Sequence, residues 1–111
     1  MAGTFTLRQL GQSAIGTAVS TLYTVPASTT ALIKNIDICN TATTGTTIRV
    51  FLVPNAGSAT TNNALIYDYS LPANSMLSWD GCQVQHTAGD TIQVQAGAVG
   101  CTAVISGVQE T

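Results

Sequence analysis

Any chemistry in this chain would have to start from one histidine, His86, and three cysteines, Cys39, Cys82 and Cys101. Nucleophilic hydrolysis needs a serine or cysteine beside a base, so such a site would have to be built around His86. The one serine flanked by glycines, in Gly11-Gln-Ser-Ala-Ile-Gly16, carries one residue too many after it for a nucleophile elbow. The thiols and the imidazole are donor types of a zinc site. Their spacing argues against one, because Cys82 and His86 on an extended strand stand about 13 Å apart at ~3.3 Å per residue, too far to share a tetrahedral ion. The expectation is a surface histidine and three reduced, metal-free thiols packed as small hydrophobes, with no metal and no cofactor. Asp37, Asp68, Asp80 and Asp90 fall one to a segment, without the clustering of a calcium loop or an evident carboxylate pair for glycoside hydrolysis. Asp90, in Ala-Gly-Asp-Thr, reads as a turn aspartate that caps backbone amides. Lys34 and Asp37 read as a solvated or locally paired surface. Tyr67, Tyr69 and Trp79 would make a sugar-stacking platform if they shared a face; packing in a small core is the competing reading. These residues describe a protein that is not an enzyme.

The elements that must carry these side chains follow a period of two, with Thr, Val and Ile dominant. In residues 47–53, Ile48, Val50 and Leu52 occupy one face, and Thr47, Arg49 and Phe51 the other. In residues 91–96, Ile92, Val94 and Ala96 alternate with Thr91, Gln93 and Gln95, a half-buried strand with an amide-rich outer face. Val84 between Gln83 and Gln85 repeats the pattern. Ile48, Val50, Leu52, Val84, Ile92 and Val94 are therefore the expected core. Further strands are expected at residues 19–25, 31–39, 65–70, 76–79 and 102–108, about eight in all. Turn residues separate them: 26–30, 40–45, 71–75, Asp80-Gly81 as a two-residue primed hairpin, 88–90 and 97–100. Residues 54–63, rich in Gly, Ser, Thr and Asn, form the expected exposed loop. Residues 1–18 read as an edge strand or as an arm reaching a neighbour through Phe5, Leu7 and Leu10, with Gly11 and Gly16 loosening it from a sandwich domain at 19–111. The fold expected is all-β: a single antiparallel sandwich.

Composition narrows the function classes. The 111 residues are 45% hydrophobic and only 7% charged, with a net charge of −2. An average domain is about 25% charged, so here 18 Thr, 8 Ser, 6 Asn and 7 Gln must keep the surface wet. Disorder requires low hydrophobicity and high net charge, and this chain has neither. Nucleic-acid binding needs clustered cations, whereas Arg8, Lys34 and Arg49 are scattered. No stretch approaches the roughly 18 apolar residues of a membrane helix. No basic segment followed by an apolar run marks a secretory signal, which together with the odd thiol count predicts assembly in a reducing cytoplasm.

Four stretches carry a family resemblance: STLYTVPASTTALIKNIDICNT at 20–41, IRVFLVP at 48–54, AGDTI at 88–92 and VISGVQE at 104–110. Together they resemble the small β-sandwich virion proteins of tailed bacteriophages and prophages. The resemblance spans residues 20–110, carries no catalytic residue and leaves 1–18 outside. It implies a jelly-roll-like sandwich and a non-enzymatic structural role in the virion, with head decoration, or cement, bridging major capsid subunits as the first expectation. Tail, neck or baseplate is the second. From another class, a carbohydrate-binding host-attachment module would use Tyr67, Tyr69 and Trp79. The implied partners are copies of itself, such as a trimer, and the major capsid protein or other virion proteins. A surface with few charges offers little repulsion between copies, and its Gln and Thr rows can exchange hydrogen bonds without burying ions.

Overall fold

Alternation of apolar with polar residues becomes alternation of interior with exterior wherever a strand is covered on one face. The last strand shows this: in CTAVISGVQE every second residue, from Cys101 to Gln109, is buried. The computed structural model describes residues 4–85 and 88–111, the side chains of residue 8 and residues 82–85 excepted. Its strands are β1 (Phe5–Ile15), β2 (Ser20–Thr24), β3 (Thr30–Asn40), β4 (Thr46–Val53), β5 (Ala64–Leu71), β6 (Ser75–Gln85), β7 (Thr91–Ala96) and β8 (Cys101–Glu110). All pairings are antiparallel and build two sheets, β1-β8-β3-β6 and β2-β7-β4-β5. Successive strands cross between the sheets, except that β4 and β5 form a hairpin within one sheet, in the order of a jelly roll.

The core between the sheets draws Ile33, Ile36, Ile38, Ala103 and Ile105 from one side and Ile48, Val50, Ile92 and Val94 from the other. β-Branched residues suit it because their stiff side chains pack well on a pleated surface. Two departures from the expected core have local causes. Leu52 shares the inward face yet is only half-buried, packed at the margin of the cluster. Phe51 points outward and is nevertheless 3% exposed, because the outer surface there is covered. The side chain of Val84 lies outside the described residues.

Asp80-Gly81 is not a hairpin turn. β6 runs through it, and Gly81 with Cys82 forms a bulge opposite Lys34, between the pairs Asn35↔Asp80 and Ile33↔Gln83. The pairing available along eleven residues of β3 outweighs a two-residue turn signal. A side chain at 81 would meet the Trp79 ring at 2.9 Å, so glycine serves close packing there.

Residues 5–15 do not leave the body of this chain; they form an edge strand hydrogen-bonded to β8 from Phe5↔Glu110 to Ile15↔Cys101. Ile15 enters the core and Leu10 packs against it. Gly11 sits where a Cβ would lie 2.5 Å from the Leu22 carbonyl, so its lack of a side chain lets β1 approach β2 rather than freeing an arm.

Polar side chains fasten the ends. Asn40, 1% exposed, donates through Nδ2 to the carbonyls of Thr44 (3.0 Å), Leu71 (3.3 Å) and Pro72 (3.2 Å), and accepts through Oδ1 from the Ala42 amide. It ties the β3–β4 turn to the β5–β6 turn. At the opposite end the buried Asp90 accepts from the amide of Asn55, 35 residues away in sequence, and so joins two loops. Inside, Gln109 Nε2 donates to the Tyr23 hydroxyl at 2.6 Å.

Candidate functional site

The outer face of β2-β7-β4-β5 holds a polar cluster that begins with a kink. β5 opposes Ile66 to Val50 and Tyr69 to Ile48, so Tyr67 and Asp68 together oppose Arg49. Asp68 takes the left-handed φ of 53°. Such a bulge turns two consecutive side chains toward one face. Arg49 then bonds Asp68 through one edge of the guanidinium, Nε to Oδ1 at 2.6 Å and Nη2 to Oδ2 at 3.2 Å. Its plane also lies over the Tyr67 ring, 4.3 Å from the centroid. The Tyr67 ring meets Phe51 edge-on at 6.4 Å. Gln95 completes the row, its Oε1 3.5 Å from Arg49 Nη1 and its Nε2 donating to the Thr17 carbonyl at 3.0 Å.

The expected loop, residues 54–63, forms a wall beside this cluster. Thr60 Oγ1 accepts from the Asn62 amide, Asn63 Oδ1 accepts from the Thr60 amide, and Asn63 Nδ2 donates to the Ser58 carbonyl at 2.8 Å. Held by these bonds, Ala59 and Thr60 line the same hollow as Phe51 and Tyr67. The hydrogen bonds of Arg49 hold the Asp68 carboxyl below the usual carboxylate range, and Asp68 in turn raises Arg49.

The outer face of β1-β8-β3-β6 is different. Phe5 and Leu7 are 70% and 83% exposed, and Leu7 lies level with Val108 and Leu32 across three strands. Lys34, Ser106 and Val108 border a shallow hollow beside Leu7. Met76 is exposed at the far end, opposite Cys39.

Of the arm residues, the structure leaves Phe5 and Leu7 on the surface and turns Leu10 inward. Tyr67, Tyr69 and Trp79 are not assembled on one face: the tyrosines are on β5, half-exposed, and Trp79 is on β6 in the other sheet, packed against the core. Cys39 and Cys101 are free thiols, and burial pushes the Cys101 thiol up, with Cys39 adding to the shift. Among the described residues no group of acids, thiols and imidazoles is placed to hold a metal. His86 and the Cys82 side chain lie outside them. The Arg49–Asp68 pair was missed because its partners are 19 residues apart. The available signal was a charge between two tyrosines in a strand, opposite one of only three cations.

The architecture is that of a jelly-roll sandwich, and solved structures share it. A chain of the acid-stable capsid of Helicobacter pylori bacteriophage KHP30 superposes with a TM-score of 0.59 at 12% identity, covering 100% of this chain and 90% of that one. A chain from Bacillus endospore appendages, which form disulfide-linked pili, gives 0.54 at 11% identity, covering 98% and 89%. A chain of infectious bursal disease virus, Gx strain, gives 0.52 at 13% identity; the likeness takes in 97% of this chain and 32% of the viral one. No family model matches the sequence, and no curated protein matches it.

Proposed function

We propose that this chain is a non-enzymatic structural component of a bacteriophage virion, and specifically a head decoration protein that bridges major capsid subunits. The observation that carries the reading is end-to-end likeness of fold to a chain of a phage capsid, with both chains covered almost entirely. Surface chemistry supports it. The exposed Phe5, Leu7 and Met76 lie on a single sheet face, where burial against a neighbouring subunit would remove them from water. Few charges oppose close approach of copies. In this reading the protein acts as a homo-oligomer such as a trimer, touches the major capsid protein through the Phe5 and Leu7 face, and assembles in the host cytoplasm with its cysteines reduced.

The test is to locate the chain on particles purified from a lysate of cells carrying its gene, by mass spectrometry followed by electron cryomicroscopy. Density for an eight-stranded sandwich seated between capsid subunits is the expected result. The same density at the tail, neck or baseplate would keep the virion role and discard decoration. Absence from the particles would end the proposal.

A further inference from the structure

We propose that the hollow over the Arg49–Asp68 pair is a binding site for a neutral pyranose sugar. The hollow, about 190 Å³, is lined by Thr17, Thr47, Arg49, Asp68, Gln95 and Gly97. A second hollow of about 250 Å³ shares Arg49 and Gln95 with it and continues past Tyr67 to Thr60 and Thr61. The two form a groove of two lobes, with the guanidinium between them.

The lining selects the ligand by its hydrogen bonding. Sugar hydroxyls donate and accept at once, and the groove presents both kinds of partner: the Asp68 carboxylate and Gln95 Oε1 as acceptors, Arg49 Nη1 as donor, and threonine hydroxyls as either. An anion gains little here, because the Arg49 charge is already neutralised through Nε and Nη2 by Asp68, whose carboxylate would repel a second anion approaching Nη1. A cation meets the same neutralised pair. An apolar ligand would strip water from carboxylate, amide and hydroxyls without replacing their bonds. Tyr67 is 47% exposed and fixed between Arg49 and Phe51, leaving ring surface for the C–H side of a pyranose.

The backbone supplies an independent observation. Asp68 occupies a left-handed conformation, which aspartate reaches more readily than most residues, and the bulge there places its carboxylate and Tyr67 on the same side. Thr17 and Gln95 come from other parts of the chain and are joined by the bond from Gln95 Nε2 to the Thr17 carbonyl, which fixes the amide's orientation. This groove differs from a platform of Tyr67, Tyr69 and Trp79, since Tyr67 alone belongs to both. It also stands apart from the role in the particle, which the location of the chain on virions decides.

The experiment is a titration of the 15N-labelled full chain, followed by amide shifts, with methyl α-D-mannopyranoside, methyl β-D-galactopyranoside and N-acetylglucosamine, and with methyl phosphate and acetate as charged probes. The expected result is saturable shifts at Thr47, Asp68 and Gln95 with one or more sugars, at a dissociation constant of about a millimolar. Asp68→Ala and Gln95→Ala should each weaken binding about tenfold or more, and Trp79→Phe should leave it unchanged. Thr47→Val, at an exposed position, provides a variant that keeps the fold and should weaken binding about threefold; thermal unfolding checks each protein. The proposal is overturned by no saturable shift with any sugar, by shifts centred on Trp79, by a stronger response to methyl phosphate or acetate, or by folded variants that bind as the parent does.

Discussion

The two outer faces of the sandwich rest on one core and have opposite characters. On β1-β8-β3-β6 the side chains that reach solvent include Phe5, Leu7 and Met76, large and without polar partners at their tips. On β2-β7-β4-β5 the outward-facing Phe51 is buried by Tyr67 and the 54–63 wall, and the charges beside it are paired. One face is finished within the chain. The other would gain from a neighbour, and the contrast teaches that exposed apolar area on a sheet need not be tolerated, since the same chain covers it elsewhere.

Breaking the common core should have the largest effect. Ile105→Ala in one sheet and Ile92→Ala in the other, both fully buried, should each cost about 2–5 kcal/mol in urea unfolding. A cost below about 0.5 kcal/mol at either would mean that the faces do not share one core. Next comes Asn40→Ala, which removes the side-chain bonds to the carbonyls of Thr44 and Leu71 at the end joining both sheets, Pro72 keeping its bond from Ser75 Oγ, and should cost about 1–3 kcal/mol. The faces themselves are compared by Leu7→Ser and Phe5→Ser. Each should change unfolding by no more than about 0.5 kcal/mol and reduce self-association in light scattering; an equal reduction from Thr47→Ser would erase the difference between the faces.

The smallest effects are those of pH. Asp68 has a lowered folded pKa, so its contribution is present above the unfolded carboxylate value of about 3.9 and is lost as pH falls through the folded one. Asp68→Asn should remove a minor acid-side step in thermal stability. Cys101 has a raised folded pKa, so its contribution is full below the unfolded thiol value of about 8.5 and is lost as pH rises through the folded one. Cys101→Ala should therefore flatten the alkaline side of the stability profile while lowering stability at neutral pH through the volume lost from the core.

The inward sides of β4 and β7 were legible because period-two alternation and one-sided burial are the same fact seen twice: Ile48, Val50, Ile92 and Val94 needed no tertiary information. Asp80-Gly81 misled because a turn signal is local, whereas β3 imposes pairing from 40 or more residues away. Gly11 misled for a related reason, since nothing in the flanking residues reveals that the Leu22 carbonyl will pass beside it. The polar cluster was hidden most deeply. It requires β5 to slip by one residue at Asp68, and that slip places Tyr67 beside Arg49 while leaving Tyr69 with Ile48. The resemblance in residues 20–110 brought the topology within reach, which alternation alone does not provide.

Thr4 and Thr111 exchange backbone hydrogen bonds, each amide 3.0 Å from the other's carbonyl, and β8 lies between β1 and β3. A ribosome delivers β1 first and β8 last, at about 5–20 residues per second, so β1 waits on the order of 5–20 s for the strand it pairs with. During that interval Phe5, Leu7 and a whole strand's worth of backbone groups have no native partner in their own sheet. Nascent chains on neighbouring ribosomes of one message carry the same waiting segment. Synthesis, more than the finished sandwich, is then the moment of greatest hazard, and holding factors that bind short apolar β segments would protect this chain most by engaging β1.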